Sequence, residues 1–246
     1  MDIFLQQLIN GLVLGSVYAL VALGYTMVYG ILELINFAHG EITMMGAMVS
    51  LAVIGALALA APGLPGVLIL GAGLVVAIPI CMALGLLIER VAYRPLRNAP
   101  RLAPLITAIG VSIILQNVAM LIWGKQYISF PAILPQGRHE ILGATISDTQ
   151  IAILVLAMLI MLALIGVVQK TRLGRAMRAT AQSRQVASLM GVDVNRVIAS
   201  TFVIGSALAA VAGVMVSAYY GLAHYYMGFL LGLRPSRRRC WAASAI

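Results

Sequence analysis

Long apolar stretches alternate along this chain with short polar segments. A helix needs about 20 mostly apolar residues to cross a hydrocarbon core about 30 Å thick. By that measure the pattern predicts six transmembrane helices, near residues 3–28, 42–61, 67–88, 105–123, 151–168 and 197–220. We therefore expect an all-α, polytopic membrane bundle. The first apolar stretch is expected to stay as a helix, because it lacks a basic leading segment and is too long for a signal peptide.

Composition supports a membrane protein and gives little sign of an enzyme. The chain is 62% hydrophobic and 9% charged, whereas soluble domains average about 25% charged residues. The two cysteines, Cys81 and Cys240, form neither a disulfide framework nor a paired metal site. No three-ligand metal cluster, H-E-x-x-H motif or G-x-S-x-G motif is found. We expect no catalytic residues and no metal.

Basic residues concentrate in two of the polar segments and predict the orientation. The first segment carries Arg90, Arg94, Arg97 and Arg101, and the second carries Lys170, Arg172, Arg175, Arg178 and Arg184. Cytoplasmic loops collect Lys and Arg, so both segments are predicted to lie in the cytoplasm and, by alternation, the N-terminus and the loop 125–150 outside. The net charge of +9 then reflects topology and contact with membrane lipid, and nucleic acid is not expected as a partner.

Small residues recur at four-residue spacing in two of the predicted helices. Gly11 and Gly15 form one such pair, and Gly205, Ala209 and Gly213 form a longer series in the last helix. This spacing lets two helix backbones approach closely. It predicts helix packing, either within the chain or against another subunit.

A polar stretch, ILELINFAHGEITMMG, interrupts the first two apolar runs. Its polar side chains include Asn36, His39 and Glu41, which are costly to bury unless they are paired or face water. One interpretation is a short cytoplasmic connection, in which these groups satisfy free backbone groups at a helix start. The other is a broken helix whose polar side chains face a central pathway, as in transporters.

A second informative stretch, TRLGRAMRATAQSRQVASLMGVDVNRVIAS, is too long and regular for a simple turn. Ser183 can cap a short helix whose apolar face holds Val186, Leu189 and Met190, and Gly191 suits its C-terminal end. Asp193 can cap the next span. Such an amphipathic cytoplasmic helix can lie on anionic lipid or dock on a soluble partner, and its periodicity does not distinguish the two.

Three segments together resemble one family. They are INGLVLGSVYALVALGYTMVYGILELINFAHGEI, GRAMRATAQSRQVASLMGVDVNRVIASTFVIGSALAAVAG and YYGLAHYYMGFLLGL. They resemble the permeases of bacterial branched-chain amino acid ABC transporters, specifically the shorter of the two paired permease types. The similarity runs from about Leu8 to Leu233, so residues 1–233 are interpreted as one membrane-spanning permease domain.

The resemblance implies a subunit of the bacterial inner membrane that does no bond chemistry. Its implied partners are a second related permease, two cytoplasmic ATPases and a periplasmic amino-acid-binding protein, with ATP and Mg bound by the ATPases and no cofactor on this chain. The segment from Ser183 through Arg184 to Gly191 then resembles the coupling helix that docks on an ATPase.

The cargo is less constrained than the transporter class. Branched-chain amino acids are implied, but relatives carry urea or short amides. Candidate pathway residues that can meet a zwitterion are Asn36, His39, Glu41, Gln116 and Asn117; the two amides can instead pair helices. An alternative of another class is a stand-alone secondary transporter or channel, which would use an ion gradient and no ATPase.

The C-terminal residues 234–246, RPSRRRCWAASAI, do not resemble the family. Family members continue after GFLLGL with a basic residue, a segment like AFTAAVLGGIGN and further spans. A GC-rich coding of that segment, read after the loss of one base, spells residues 235–245 in order and, with one more suitable base, Ile246. We therefore expect a frameshifted tail after Arg234, with the last family spans missing and activity doubtful. Without its four arginines, 12 basic and 7 acidic residues leave a charge of +5.

Overall fold

The fold is an α-helical bundle, here from a computed structural model that describes residues 2–32, 36–61, 63, 65–96, 99–100, 102–131, 137–141 and 144–228. Six long apolar helices confirm the predicted spans: α1 (Asp2–Leu32), α2 (Ala38–Ala60), α3 (Gly66–Ile88), α4 (Leu102–Trp123), α5 (Asp148–Lys170) and α8 (Val194–Tyr220). A π-helical turn, Glu89–Tyr93, extends α3. Away from their ends, helices satisfy their backbone hydrogen bonds internally, as a lipid surrounding requires.

Shorter elements lie between the spans. Two helices, α6 (Arg172–Gln182) and α7 (Arg184–Leu189), separate α5 from α8. Strands β2 (Arg138–Ile141) and β3 (Ala144–Ser147) form an antiparallel hairpin before α5. Strand β1 (Ile128–Ser129), after α4, pairs with β4 (Leu222–Ala223), after α8. The predicted tail at 234–246 and the basic residues Arg97 and Arg101 lie outside the described residues.

Helices α2 and α8 form the centre of the bundle. Helix α8 packs on α1, α2 and α3, while α2 also packs on α3 and α4. Helix α5 lies at the periphery against α1, and its residues Val155, Met158, Leu159 and Leu162 are exposed. In a membrane this outer apolar surface contacts lipid, so exposure carries no hydrophobic cost there.

Small residues allow the central helices to approach closely. A Cβ added at Gly213 of α8 would overlap the carbonyl oxygen of Thr43 and lie 3.1 Å from the amide nitrogen of Ala47 in α2. A Cβ at Gly46 would lie 2.6 Å from the Cα of Ala210. About two turns earlier in α8, a Cβ at Gly205 would lie 3.3 Å from the carbonyl oxygen of Gly24 in α1. Ala209, between the two glycines of α8, is fully buried.

Contacts between loops divide the helix ends into two groups. At one end, Gln6 of α1 hydrogen-bonds Thr145 of β3, and β1 pairs with β4. At the other end, Arg184 bonds the carbonyl of Ile31, and Tyr93 bonds Asn36. This grouping is the one that alternating spans require. The assignment of the second, basic end to the cytoplasm is a prediction from its charge.

Candidate functional site

The first turn of α2 lies inside the bundle and not at its surface. A Cβ added at Gly24, in the body of α1, would lie 2.8 Å from the ring of His39, and one at Gly205, in the body of α8, would lie 3.9 Å from that ring. Residues 36 and 38–51 are all buried. The polar stretch therefore connects α1 to a helix that begins between other helices, well away from the bundle's surface.

Asn36 organises the start of this turn. Its side-chain oxygen accepts hydrogen bonds from the backbone N–H of Ala38 at 3.1 Å and from the hydroxyl of Tyr93 at 2.8 Å. The first bond satisfies one of the free N–H groups at the start of α2. The second ties the turn to the π-helical end of α3. The same side chain thus fixes both the helix start and its neighbour.

Glu41 joins α2 to α4. Its Oε1 accepts hydrogen bonds from the hydroxyl of Ser112 at 3.0 Å and from the side-chain amide of Gln116 at 2.7 Å. The carboxyl group is fully buried. Burying a carboxyl group away from water is costly unless hydrogen bonds compensate. The two donors from α4 supply that compensation to one of its two oxygens.

Three polar atoms of the turn have no hydrogen-bond partner within the described part of the chain. They are Nδ2 of Asn36, Nε2 of His39 and Oε2 of Glu41. Leaving a buried polar group unpaired costs about 1–3 kcal/mol, so each such group calls for an explanation. The chain after α8 also reaches this place, because a Cβ at Gly228 would lie 2.7 Å from Oε2 of Glu41. Sequence reasoning did not anticipate Gly228.

The structure brings four of the five predicted pathway residues together and separates the fifth. Asn36, His39 and Glu41 share the start of α2, and Gln116 reaches Glu41 from α4. Asn117 points to the outside of α4, where it is exposed and donates to the carbonyl of Ile113 in its own helix at 2.8 Å. Neighbours in sequence lie about 100° apart around a helix, so Gln116 and Asn117 cannot both face α2.

Helix α7 is capped at both ends by the expected residues. The hydroxyl of Ser183 accepts a hydrogen bond from the N–H of Val186 at 3.3 Å. Gly191 has a positive φ of 82°, which glycine adopts without strain. The carboxylate of Asp193 accepts from the N–H groups of Asn195 and Arg196 and starts α8. These caps fix a short helix between two turns at the basic end of the bundle.

The apolar face of α7 points away from the bundle. Val186, Leu189 and Met190 are 58%, 86% and 80% exposed, while Ala187 on the inner side is buried. This end of the bundle also carries the exposed side chains of Arg172 and Arg175. A cluster of exposed apolar side chains in a charged, aqueous region is typical of a protein interaction site.

Arg184 extends in the opposite direction from the exposed apolar side chains of α7. Its guanidinium donates two hydrogen bonds, from Nε at 3.2 Å and from an Nη at 2.8 Å, to the carbonyl oxygen of Ile31 near the end of α1. The side chain is half-buried. Of the residues proposed for the docking helix, Arg184 therefore faces the chain itself.

Helix α6 was not anticipated as a separate helix. Arg172, Arg175 and Arg178 lie exposed on one side, and Gly174, Met177 and Thr180 are buried on the other. The signal was available in the sequence, because the arginines recur every third residue and the buried residues follow the same spacing. Helix α6 packs on both α5 and α7 and so lies between them.

Gly11 and Gly15 lie on an open face of α1. A Cβ at either position would meet no described atom within 4 Å, and Leu8 and Leu12 beside them are exposed. Within the described residues, this pair therefore makes no helix contact. It contrasts with Gly205 and Gly213, which meet α1 and α2.

Two clefts lie near the ends of the bundle. One, of about 380 Å³, is lined mainly by charged residues at the basic end, including Glu89, Arg94 and Arg196. The other, of about 410 Å³, is lined by Tyr127, His224 and other residues at the opposite end. The linings of these two clefts do not include Asn36, His39 or Glu41. Among the described residues, no group of three His, Cys, Asp or Glu side chains could hold a metal ion.

Comparisons with known proteins agree on one family. Residues 7–236 match the family described as "Branched-chain amino acid transport system / permease component". The chain is 48% identical over 235 residues to the high-affinity branched-chain amino acid transport system permease protein LivH of Escherichia coli (strain K12), covering 94% of this chain and 76% of the relative.

Proteins from another bacterium and from Methanocaldococcus jannaschii are also similar to this chain. The permease protein BraD of Pseudomonas aeruginosa, also named for high-affinity branched-chain amino acid transport, is 47% identical with the same shares covered. A probable branched-chain amino acid transport permease of Methanocaldococcus jannaschii is 28% identical over 86% of this chain and 66% of its own length. No solved structure matches.

Proposed function

The chain belongs to the branched-chain amino acid transport permease family, and from that premise we propose that it forms the membrane pathway of an ABC importer for leucine, isoleucine and valine. It is a multi-pass protein of the bacterial inner membrane. Its proposed partners are a second related permease, two cytoplasmic ATPases and a periplasmic binding protein that delivers the amino acid.

The observation that carries the proposal is the outward apolar face of α7. A permease that uses ATP bound elsewhere needs a surface on which the ATPase can dock. Val186, Leu189 and Met190 supply such a surface at the basic end, and Ala187 anchors the helix to the bundle. A secondary transporter or channel has no need of this exposed apolar helix in water.

The proposed pathway passes the first turn of α2. Its free polar atoms on Asn36, His39 and Glu41 can meet the ammonium and carboxylate of an amino acid when the surrounding helices separate. The observed packing leaves the turn buried. Transport by alternating access requires two packings of the same helices, and the glycine contacts of α8 with α1 and α2 are the contacts expected to change.

The second permease is proposed to pack on the open face of α1. Gly11 and Gly15 offer a close approach to another transmembrane helix and make no such contact within the described chain. This chain itself is proposed to catalyse no reaction and to bind no cofactor. ATP and Mg are bound by the partner ATPases. The permease alternates between two helix packings, and ATP hydrolysis by the partners drives that change.

The test adds one charge to the docking face. We expect Leu189→Asp to abolish co-purification of the chain with the proposed partner ATPases, since the carboxylate would have to be buried in the interface. Gln185→Asp is the matched control, because it adds the same charge on the same helix at an exposed position outside the apolar face. The control should retain the ATPases.

Transport measurements distinguish an ABC importer from a secondary transporter or channel. Uptake of leucine into vesicles should require ATP and the binding protein, and uptake driven by an ion gradient without ATPase would contradict the proposal. Equal ATPase binding by Leu189→Asp and Gln185→Asp would remove α7 as the docking helix. Uptake of urea or a short amide in place of leucine would correct the cargo and leave the transporter class intact.

A further inference from the structure

Arg184 is the arginine of α7 that faces the bundle. The arginines of α6 at positions 172, 175 and 178 are exposed, whereas Arg184 is half-buried and reaches back to α1. Both of its hydrogen bonds end on one atom, the carbonyl oxygen of Ile31. Because two donors of a planar guanidinium share one acceptor, they fix the orientation of the Arg184 side chain as well as its distance from the carbonyl oxygen.

The end of α1 is suited to receive this side chain. The last four carbonyl groups of a helix have no partner within the helix, and the helix dipole favours a positive charge there. Helix α1 carries no basic residue in its own last turn. Arg184 provides the missing charge from α7, which follows it by more than 150 residues in sequence.

The contacted carbonyl lies directly before the polar turn. Ile31 is one residue from the end of α1, and Asn36 begins the described part of the turn. Asn36 is held by Tyr93 on its other side, and the N–H of His39 donates to the carbonyl of Asn36 at 3.1 Å. The connection between α1 and α2 is thus held by α7 at one point and by the end of α3 at another.

We propose that Arg184 is a positioning residue that transmits movement of α7 to the end of α1 and so to the first turn of α2. The proposal rests on the proposed function, since it takes α7 as the docking helix. The exposed residues Val186, Leu189 and Met190 hold the ATPase, and Arg184 passes the displacement inward. Docking and transmission are then performed by different sides of a six-residue helix.

The experiment measures both properties on the full chain. Spin labels at Gln185→Cys in α7 and Thr26→Cys in α1, both exposed positions, report the distance between the two helices in a Cys240→Ser background. Co-purification reports ATPase binding. The variants are Arg184→Gln, Arg184→Lys and, as the matched control, Arg175→Gln, whose side chain is exposed on α6 and bonds no other described residue.

We expect Arg184→Gln to retain the ATPases but to broaden the distance distribution. On ATP addition, the ratio of the population with the shifted distance to that with the unshifted distance should fall about tenfold, as loss of a charge-assisted hydrogen bond implies. Arg184→Lys should restore part of the response to ATP, because a lysine keeps the positive charge but lacks the two adjacent N–H donors of the planar guanidinium. Arg175→Gln should match the unaltered chain.

Two results would overturn the proposal. One is an Arg184→Gln chain with an unchanged distance distribution and full response to ATP. The other is loss of the ATPases from Arg184→Gln to the same extent as from Leu189→Asp, which would make Arg184 a docking residue. If Leu189→Asp also retains the ATPases, the proposed function of α7 fails first, and the inference about Arg184 fails with it.

Discussion

The first turn of α2 and the helix α7 place their residues in opposite ways. At the start of α2, the side chains of Asn36, His39 and Glu41 are buried among apolar helices. In α7, Val186, Leu189 and Met190 extend from the end of the bundle that carries the exposed arginines. Each region thus has the surroundings that its side chains favour least.

The difference shows how the two regions are held in place. The polar turn is stabilised from within, by the bonds of Asn36 to Tyr93 and of Glu41 to Ser112 and Gln116. Helix α7 is stabilised at its ends, by the caps at Ser183 and Gly191 and by the hydrogen bonds from Arg184 to the carbonyl of Ile31. Substitutions in the first region should therefore affect the whole bundle, and those in the second should act locally.

The largest expected effect comes from the packing that buries the polar turn. Gly213→Leu would force a side chain into the backbone of Thr43 and Ala47. Because backbone cannot move aside as a flexible side chain can, we expect a loss of about 3 kcal/mol, the upper end for overpacking. The measurement is thermal unfolding of the detergent-purified chain.

The matched control for that substitution is Gly15→Leu. Gly15 is also a glycine of a transmembrane helix, but a Cβ there meets no described atom within 4 Å. The control should unfold at the temperature of the unaltered chain. Equal destabilisation by both variants would mean that helix propensity, and not the contact with α2, determines the loss.

A smaller effect is expected from the bond between α2 and α4. Glu41→Ala removes the acceptor of the buried Ser112 and the half-buried Gln116 and leaves both donors unpaired, which should cost about 1–3 kcal/mol. Glu41→Gln keeps an acceptor oxygen and should restore most of the stability. Thermal unfolding is again the measurement.

Asn117→Ala is the control for the Glu41 variants. It removes an amide from the same helix, α4, but from an exposed position that bonds only its own helix among the described residues. Its stability should be unchanged. If Asn117→Ala lowered the stability as much as Glu41→Ala, the outward amide of α4 would contribute as much to stability as the inward hydrogen bonds. That result would contradict the geometry.

The smallest effect concerns the cap of α7. Ser183→Ala removes the acceptor of the N–H of Val186, and loss of such a cap typically costs about 1 kcal/mol. Faster amide hydrogen exchange should appear in residues 184–189 only. Ser188→Ala, which loses a bond to the carbonyl of Gln185, should leave exchange at Val186 unchanged. Faster exchange throughout the bundle would contradict a local role.

Much of the fold could be predicted from local patterns. The six spans follow from length and apolarity, and the caps at Ser183, Gly191 and Asp193 were anticipated because capping depends on a few adjacent residues. Helix α2 begins at Ala38, four residues before the predicted start at residue 42. A span was expected to begin after its polar residues, but those residues form its first turn within the bundle.

Other features depend on partners distant in sequence. The pairing of β1 with β4 joins residues about ninety positions apart, and two-residue strands carry no periodic signal. The separation of Gln116 from Asn117, the approach of Gly228 to Glu41 and the inward direction of Arg184 are of the same kind. A residue's type predicts that it is polar or small, but its neighbours decide what it contacts.

The sequence by itself determined the six long apolar spans that the described residues contain, with a polar interruption before α2 and a short capped helix before α8. Those properties depend on apolarity, helical periodicity and capping, which act over a few residues. Only the tertiary structure decided that the interruption is buried between α1 and α8, that α7 exposes its apolar face and that Arg184 ties α7 to α1. The physical reason is that close packing at Gly24, Gly46 and Gly213 selects which distant helices meet, and no local pattern carries that selection.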